Sequence, residues 1–255
     1  MRPIERTGLR IAAMVLPRMR GRSAPCGMRL LLVALAAIVA VAITALGWPG
    51  SAVAASHDFN GDHKSDILWF RSVGGEVAIW FMNGTSAAGG GSPGSASNNW
   101  AIVGTGDFNG DGYGDILWYN NTLVQTVIWF MNGTSVIGGG SPGSAPLEFR
   151  IVGTGDFNGD GRSDILWYNS NTGQLVIWLL NGASVIGGGS PGSAPIFYTV
   201  VLTGDFNGDG MSDVLWQNTS NGQLVIWLLN GASVIAGGSP GSVAFPWLPQ
   251  GMNAD

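Results

Sequence analysis

The chain has 255 residues, with 11 Lys and Arg against 16 Asp and Glu for a net charge of −5. That figure hides a division: seven Arg and one Glu precede Leu30, and beyond residue 55 four cations face fifteen acids, a net charge of −11. A basic nucleic-acid-binding surface is excluded. Charged residues make up 11% of the chain, against about 25% in ordinary soluble domains, and Gly is about twice its usual share. The sequence is turn-rich, not helix-rich. The single cysteine, Cys26, lies ahead of the acidic region and leaves it without a disulfide, a zinc thiolate site or a cysteine nucleophile.

Residues 1–55 read as a leader and residues 56–255 as the domain. The uncharged run LLLVALAAIVAVAITALG over 30–47 follows Arg-rich sequence and precedes Pro49 and the small residues 51–55. That order of regions is a secretory signal peptide, and the A-x-A rule puts cleavage after Ala54, with Ala55 the near alternative. A start at Met28 gives a leader of ordinary length. An uncleaved anchor is the competing reading, since eighteen apolar residues nearly span a bilayer. Membrane attachment is expected only in that case.

The remaining sequence is one unit repeated four times. Gly-Asp-Phe-Asn-Gly-Asp-Gly recurs at Asp107, Asp156 and Asp205, with a variant at Asp58, each 49 residues apart. In the second copy, strands are expected over 100–104, 115–119, 126–131 and 134–137, with Asn132-Gly133 as a hairpin signal. The run GGGSPGS over 138–144 is expected to end the strand and link units. Four short antiparallel strands per repeat predict an all-β, β-propeller-like fold: four repeats of 49 residues, each a four-stranded blade. The first copy lacks a leading strand, and residues 245–250 (FPWLPQ) fall in register to supply it, despite Pro246 and Pro249. Residues 174–186 and 223–235 are identical, which points to recent duplication.

Each copy carries Asp-Phe-Asn-Gly-Asp-x-x-x-Asp. The oxygen side chains are Asp58, Asn60, Asp62 and Asp66; Asp107, Asn109, Asp111 and Asp115; Asp156, Asn158, Asp160 and Asp164; Asp205, Asn207, Asp209 and Asp213. Oxygens at positions 1, 3, 5 and 9 suit a hard cation, and calcium best. The carbonyl at position 7, from Lys64, Tyr113, Arg162 or Met211, is a fifth candidate ligand. Up to four Ca2+ ions are expected, one per repeat, the first site weakest because His63 replaces the turn glycine at position 6. An EF-hand is excluded because position 12 is Trp and strands flank the loop. Asp, Asn and Gly are also good turn residues. Yet twelve of the fifteen acids beyond residue 55 sit in these loops, where crowding without a cation is repulsive at about 1 kcal/mol or more per close pair.

The loop followed by Ile-Leu-Trp resembles the FG-GAP repeat of integrin alpha-chain propellers in its bacterial VCBS-type form. The resemblance covers Asp58 to about Phe245. It implies one calcium-binding β-propeller blade per unit, the ion held by the residues named above. Integrin-like propellers have seven blades and this chain has four units, so a four-bladed ring or an oligomeric ring is expected.

Eight Trp recur at two places per unit: Trp69, Trp118, Trp167, Trp216 and Trp80, Trp129, Trp178, Trp227. They read as packing between blades ahead of sugar-stacking platforms. The only histidines are His57 and His63, and the only glutamates beyond residue 55 are Glu76 and Glu148, so no nucleophile, base and orienting group can be assembled. The expectation is a secreted or cell-surface, non-catalytic calcium-binding module whose partner is a glycan or an extracellular protein (adhesion or lectin-like). The alternative is a structural protein whose units self-associate as a homo-oligomer.

Overall fold

The computed structural model describes residues 57–244 and Trp247. The leader, its cleavage site and most of the 245–250 segment lie outside the described residues. Among the described residues no helix is long and apolar enough to cross a membrane.

Fifteen strands form four antiparallel meanders. The first sheet has β1 (Ile67–Phe70), β2 (Glu76–Asn83) and β3 (Ser86–Ser95). The second has β4 (Trp100–Gly106), β5 (Asp115–Asn120), β6 (Gln125–Asn132) and β7 (Ser135–Gly143). The third has β8 (Phe149–Gly155), β9 (Asp164–Asn169), β10 (Gln174–Asn181) and β11 (Ser184–Ser193). The fourth has β12 (Tyr198–Gly204), β13 (Asp213–Asn218), β14 (Gln223–Asn230) and β15 (Ser233–Ser242). Three units are thus four-stranded as expected. The first is three-stranded among the described residues, as its missing leading strand in the sequence predicts.

The glycine-rich runs do not end the strands. In β7, Gly138, Gly139 and Gly140 pair with Phe130, Trp129 and Ile128, and the register slips on either side of them. Gly139 has φ +146°, where a Cβ would run into the Ile128 carbonyl oxygen. Glycine is therefore the residue that lets this bulged strand stay against β6. Pro142 is tolerated because β7 is the last strand of its sheet. The hairpin also shifts by one residue from its expected place: Asn132 pairs with Ser135, leaving Gly133 and Thr134 as the loop. Gly133 has φ +63° and Thr134 is not left-handed, the type II′ pattern.

Alternation along each strand sends successive side chains to opposite faces, and the sheets stack on those faces. Between the first and second sheets, Phe59, Val77 and Ile79 meet Ile116, Trp118 and Met131. Between the second and third, Phe108, Leu117, Tyr119 and Ile128 meet Ile165, Trp167 and Leu180. Between the third and fourth, Phe157, Leu166, Tyr168, Leu175 and Ile177 meet Val214, Trp216 and Leu229. Each fully buried side chain of this size contributes about 1.5–3 kcal/mol. Leading strands also touch: β4 lies against β8 and β8 against β12. Thr154 Oγ1 donates to the Thr105 carbonyl and Thr203 Oγ1 to the Thr154 carbonyl, both at 2.9 Å. At Gly104 and Gly153 a side chain would press on Thr154 and Thr203 of the next sheet.

At Trp247 the carbonyl accepts Gln217 Nε2 at 3.0 Å, from β13. That residue therefore stands beside the fourth sheet; the other residues of the segment expected to lead the first unit lie outside the described residues.

Candidate functional site

Each acidic loop joins the first two strands of its unit, and in the first copy it precedes β1. The first aspartate organises it. Asp107 Oδ1 accepts the amides of Gly110 at 2.6 Å and Asp111 at 3.1 Å, and Oδ2 accepts Gly112 at 2.8 Å. Asp156 and Asp205 repeat the pattern on Gly159, Asp160 and Gly161, and on Gly208, Asp209 and Gly210. Asp58 does the same with Gly61, Asp62 and His63. Position 6 must be left-handed for this: Gly112, Gly161 and Gly210 have φ near +83°, and His63 is held at +61°. A non-glycine residue there costs about 1–2 kcal/mol.

The ninth residue has a different part. Asp115 is fully buried; its Oδ2 accepts the Phe108 amide at 3.0 Å and its Oδ1 the Met131 amide at 2.8 Å. Asp164 repeats this with Phe157 and Leu180, Asp213 with Phe206 and Leu229, and Asp66 with Phe59 and Met82. Each carboxylate ties its loop to the third strand of its unit. Burial, with the loop's other two carboxylates adding to it, pushes Asp115 and Asp164 up to about 7 against the two amide bonds. Asp66 and Asp213 are raised by burial as well.

Position 5 is exposed in every loop, and positions 3 and 7 are mostly half-buried. Asn109 Nδ2 donates to Asp111 Oδ2 at 2.9 Å, and the Tyr113 amide to Asp111 Oδ1 at 3.0 Å. Asn158 with Asp160 and Asn207 with Asp209 match it. The first loop departs: Lys64 Nζ sits 2.9 Å from Asp62 Oδ2, and that bond holds the Asp62 carboxyl below its usual range.

The five expected positions of each copy thus fall in one loop. Among the described residues, no three His, Cys, Asp or Glu side chains are grouped so that they alone would hold a metal ion. The fit to a cation rests on the mixed set of carboxylate, amide and carbonyl oxygens, all hard donors. A carboxylate raised by burial, with two neighbouring carboxylates adding to it, is also an environment in which a bound cation would offset the penalty.

Loops are clamped between units. The carbonyls of Asp58, Asp107 and Asp156 accept the amides of Gly114, Ser163 and Ser212 in the following loop at 2.6–2.8 Å. Those of Phe59, Phe108 and Phe157 accept the hairpin amides of Gly133, Gly182 and Gly231. The position-7 side chains Tyr113, Arg162 and Met211 lie over Gly61, Gly110 and Gly159 of the preceding loop. The sequence reading missed the position-2 phenylalanine, whose signal was its recurrence inside a polar loop: Phe59, Phe108 and Phe157 are fully buried between sheets.

Trp118, Trp167 and Trp216 are core residues, each about 5 Å from Trp129, Trp178 or Trp227, as the packing reading expects. Trp69 and Trp80 are half-exposed. A cleft between the first two sheets is lined by Ala96, Ser97, Trp100, Trp118, Val127 and Trp129.

The model of the FG-GAP-like repeat matches residues 58–118 and 156–216, each match spanning two successive acidic loops. No curated protein and no solved structure matches the chain significantly. With the match in register with the repeat and with the four blade-like sheets, the chain is an FG-GAP-type repeat protein.

Proposed function

We propose that the protein is a calcium-stabilised, non-catalytic binding module that works outside the cytoplasm. The observation that carries this reading is the fourfold recurrence of one loop holding three carboxylates, an asparagine oxygen and a position-7 carbonyl in nine residues. Calcium's part is structural. It would offset the repulsion among Asp156, Asp160 and Asp164 and stiffen a loop whose carbonyls already bond the next unit. Calcium modules outside the cell bind at about 10⁻⁴ to 10⁻³ M, so folding would be coupled to that environment. The partner class is a glycan or an extracellular protein, and the cleft bordered by Trp100 and Trp129 offers aromatic faces of the kind sugars stack on.

Thermal unfolding with EDTA and then with added calcium tests the reading. A calcium-dependent rise in melting temperature, reduced by Asp160→Asn, is expected. An unchanged melting temperature would reject the metal role and leave the loops as turns.

A further inference from the structure

We propose that the outer faces of the first and fourth sheets are two halves of one interface, and that a second copy of this chain joins them head to tail. The chain makes this interface three times internally. In each case Ile or Val, Trp, a second Trp and a Met or Leu on one sheet cover Phe, Ile and further apolar residues on the preceding one. At the two ends no other sheet among the described residues covers their counterparts.

At the front end, Ile67, Trp69 and Trp80 are 36%, 47% and 49% exposed, whereas Ile116 and Trp118, one repeat later, are 0% and 1%. At the back end, Phe206 is 40% exposed while Phe157, Phe108 and Phe59 are at 0%. Leu224 and Ile226 are half-buried where Leu175 and Ile177 are fully buried. Neither face carries a charged side chain at these positions. Each is complementary to the other by the register of the repeat, so the fitting occupant of the fourth sheet is a first sheet.

Backbone groups extend the match. The carbonyls of the first three loops bond the next unit's eighth-position and hairpin amides. The counterparts for Asp205 and Phe206 are the amides of Ser65 and Gly84 of the second copy. Trp247, the one described residue beyond 244, already sits on this path. The Trp247 carbonyl takes the Gln217 bond at 3.0 Å, 49 residues after the Tyr198 carbonyl takes the Tyr168 hydroxyl at 2.9 Å. Trp247 thus stands where a following sheet would begin.

Two copies joined at both ends give eight sheets, within the range of about four to eight blades in closed propellers. The contact is heterologous, but it closes after two copies and leaves no free face.

The test is the native mass of the protein recovered after expression of the full chain, with calcium in excess so that loop stability is not the variable. Wild type is expected at two chains. Trp80→Asp and Phe206→Asp each alter an exposed side chain at opposite ends, and each alone is expected at one chain. Their equimolar mixture restores one intact pair of faces and is expected to return a one-to-one complex. A wild-type mass of one chain at every concentration overturns the proposal. So do two-chain masses for both single variants, or a mixture that stays at one chain. A mass that keeps growing with concentration overturns the closed ring. Phe206 lies between Asp205 and Asn207, so the calcium response of each variant is read separately by melting, and Trp80→Asp, outside every loop, tests the interface independently of it.

Discussion

Within one loop, the fifth and ninth carboxylates should fail differently when replaced. Asp164 is fully buried and accepts Phe157 N at 3.0 Å and Leu180 N at 2.8 Å. Asp164→Ala leaves two buried amides without an acceptor, and each such group costs about 1–3 kcal/mol, for a loss of about 2–6 kcal/mol. Against an ordinary domain stability of about 5–15 kcal/mol, that is a large fraction. Asp164→Asn keeps one acceptor but turns an NH2 toward the other amide, a loss of about 1–3 kcal/mol. Asp160 is exposed, and its one backbone bond, from Arg162 N at 2.9 Å, needs only an Oδ1 that asparagine retains. In EDTA, Asp160→Asn should therefore change stability by less than about 0.5 kcal/mol. Its loss should show only when calcium is added, where a site at one hundred times its Kd contributes about 2.7 kcal/mol. Urea denaturation of the three variants with EDTA and with calcium separates the two roles. Equal destabilisation by Asp160→Asn and Asp164→Ala in EDTA would refute the division between a buried tie and an exposed donor.

His63 is held at φ +61° where the other loops have glycine. His63→Gly relieves about 1–2 kcal/mol of left-handed strain and returns about 0.5–1 kcal/mol to the unfolded chain's freedom, so a net gain of about 0.5–1 kcal/mol in urea denaturation is expected. Gly139→Ala should cost about 2 kcal/mol or more, because its Cβ meets the Ile128 carbonyl at a left-handed φ. Gly138→Ala, whose Cβ lies 3.3 Å from Phe130, should stay within about 1 kcal/mol by the same measurement. Thr203→Val removes the buried bond to the Thr154 carbonyl and should cost about 1–2 kcal/mol, while Thr199→Val should fall near zero. Equal effects at the two threonines would remove the ladder between leading strands from the account.

Much of the architecture is legible before any coordinates, and the reason is repetition. The period of 49, the apolar β-rich runs such as DILWY and TVIWFM, and the acidic loop each recur, so local signals reinforce one another across the repeats. The family resemblance rested on the same loop, and the repeat match falls on it. The grouping of Asp107, Asn109, Asp111, Tyr113 and Asp115 in one loop also follows from sequence, because nine residues between two strands leave them nowhere else to be.

What failed was the reading of glycine as punctuation. GGGSPGS lacks side chains to signal a strand, yet Gly139 is there because the neighbouring carbonyl excludes a Cβ, a fact about a partner strand that local propensity does not contain. The split between Asp160 and Asp164 was equally hidden, since both are aspartates in one motif and only burial separates them. The sequence by itself determined the repeat, its strands and the oxygen donors, because these are local and periodic. The tertiary structure alone decided which of eight tryptophans are covered. Trp118 and Trp69 sit in near-identical segments and differ only in whether another sheet stands in front of them.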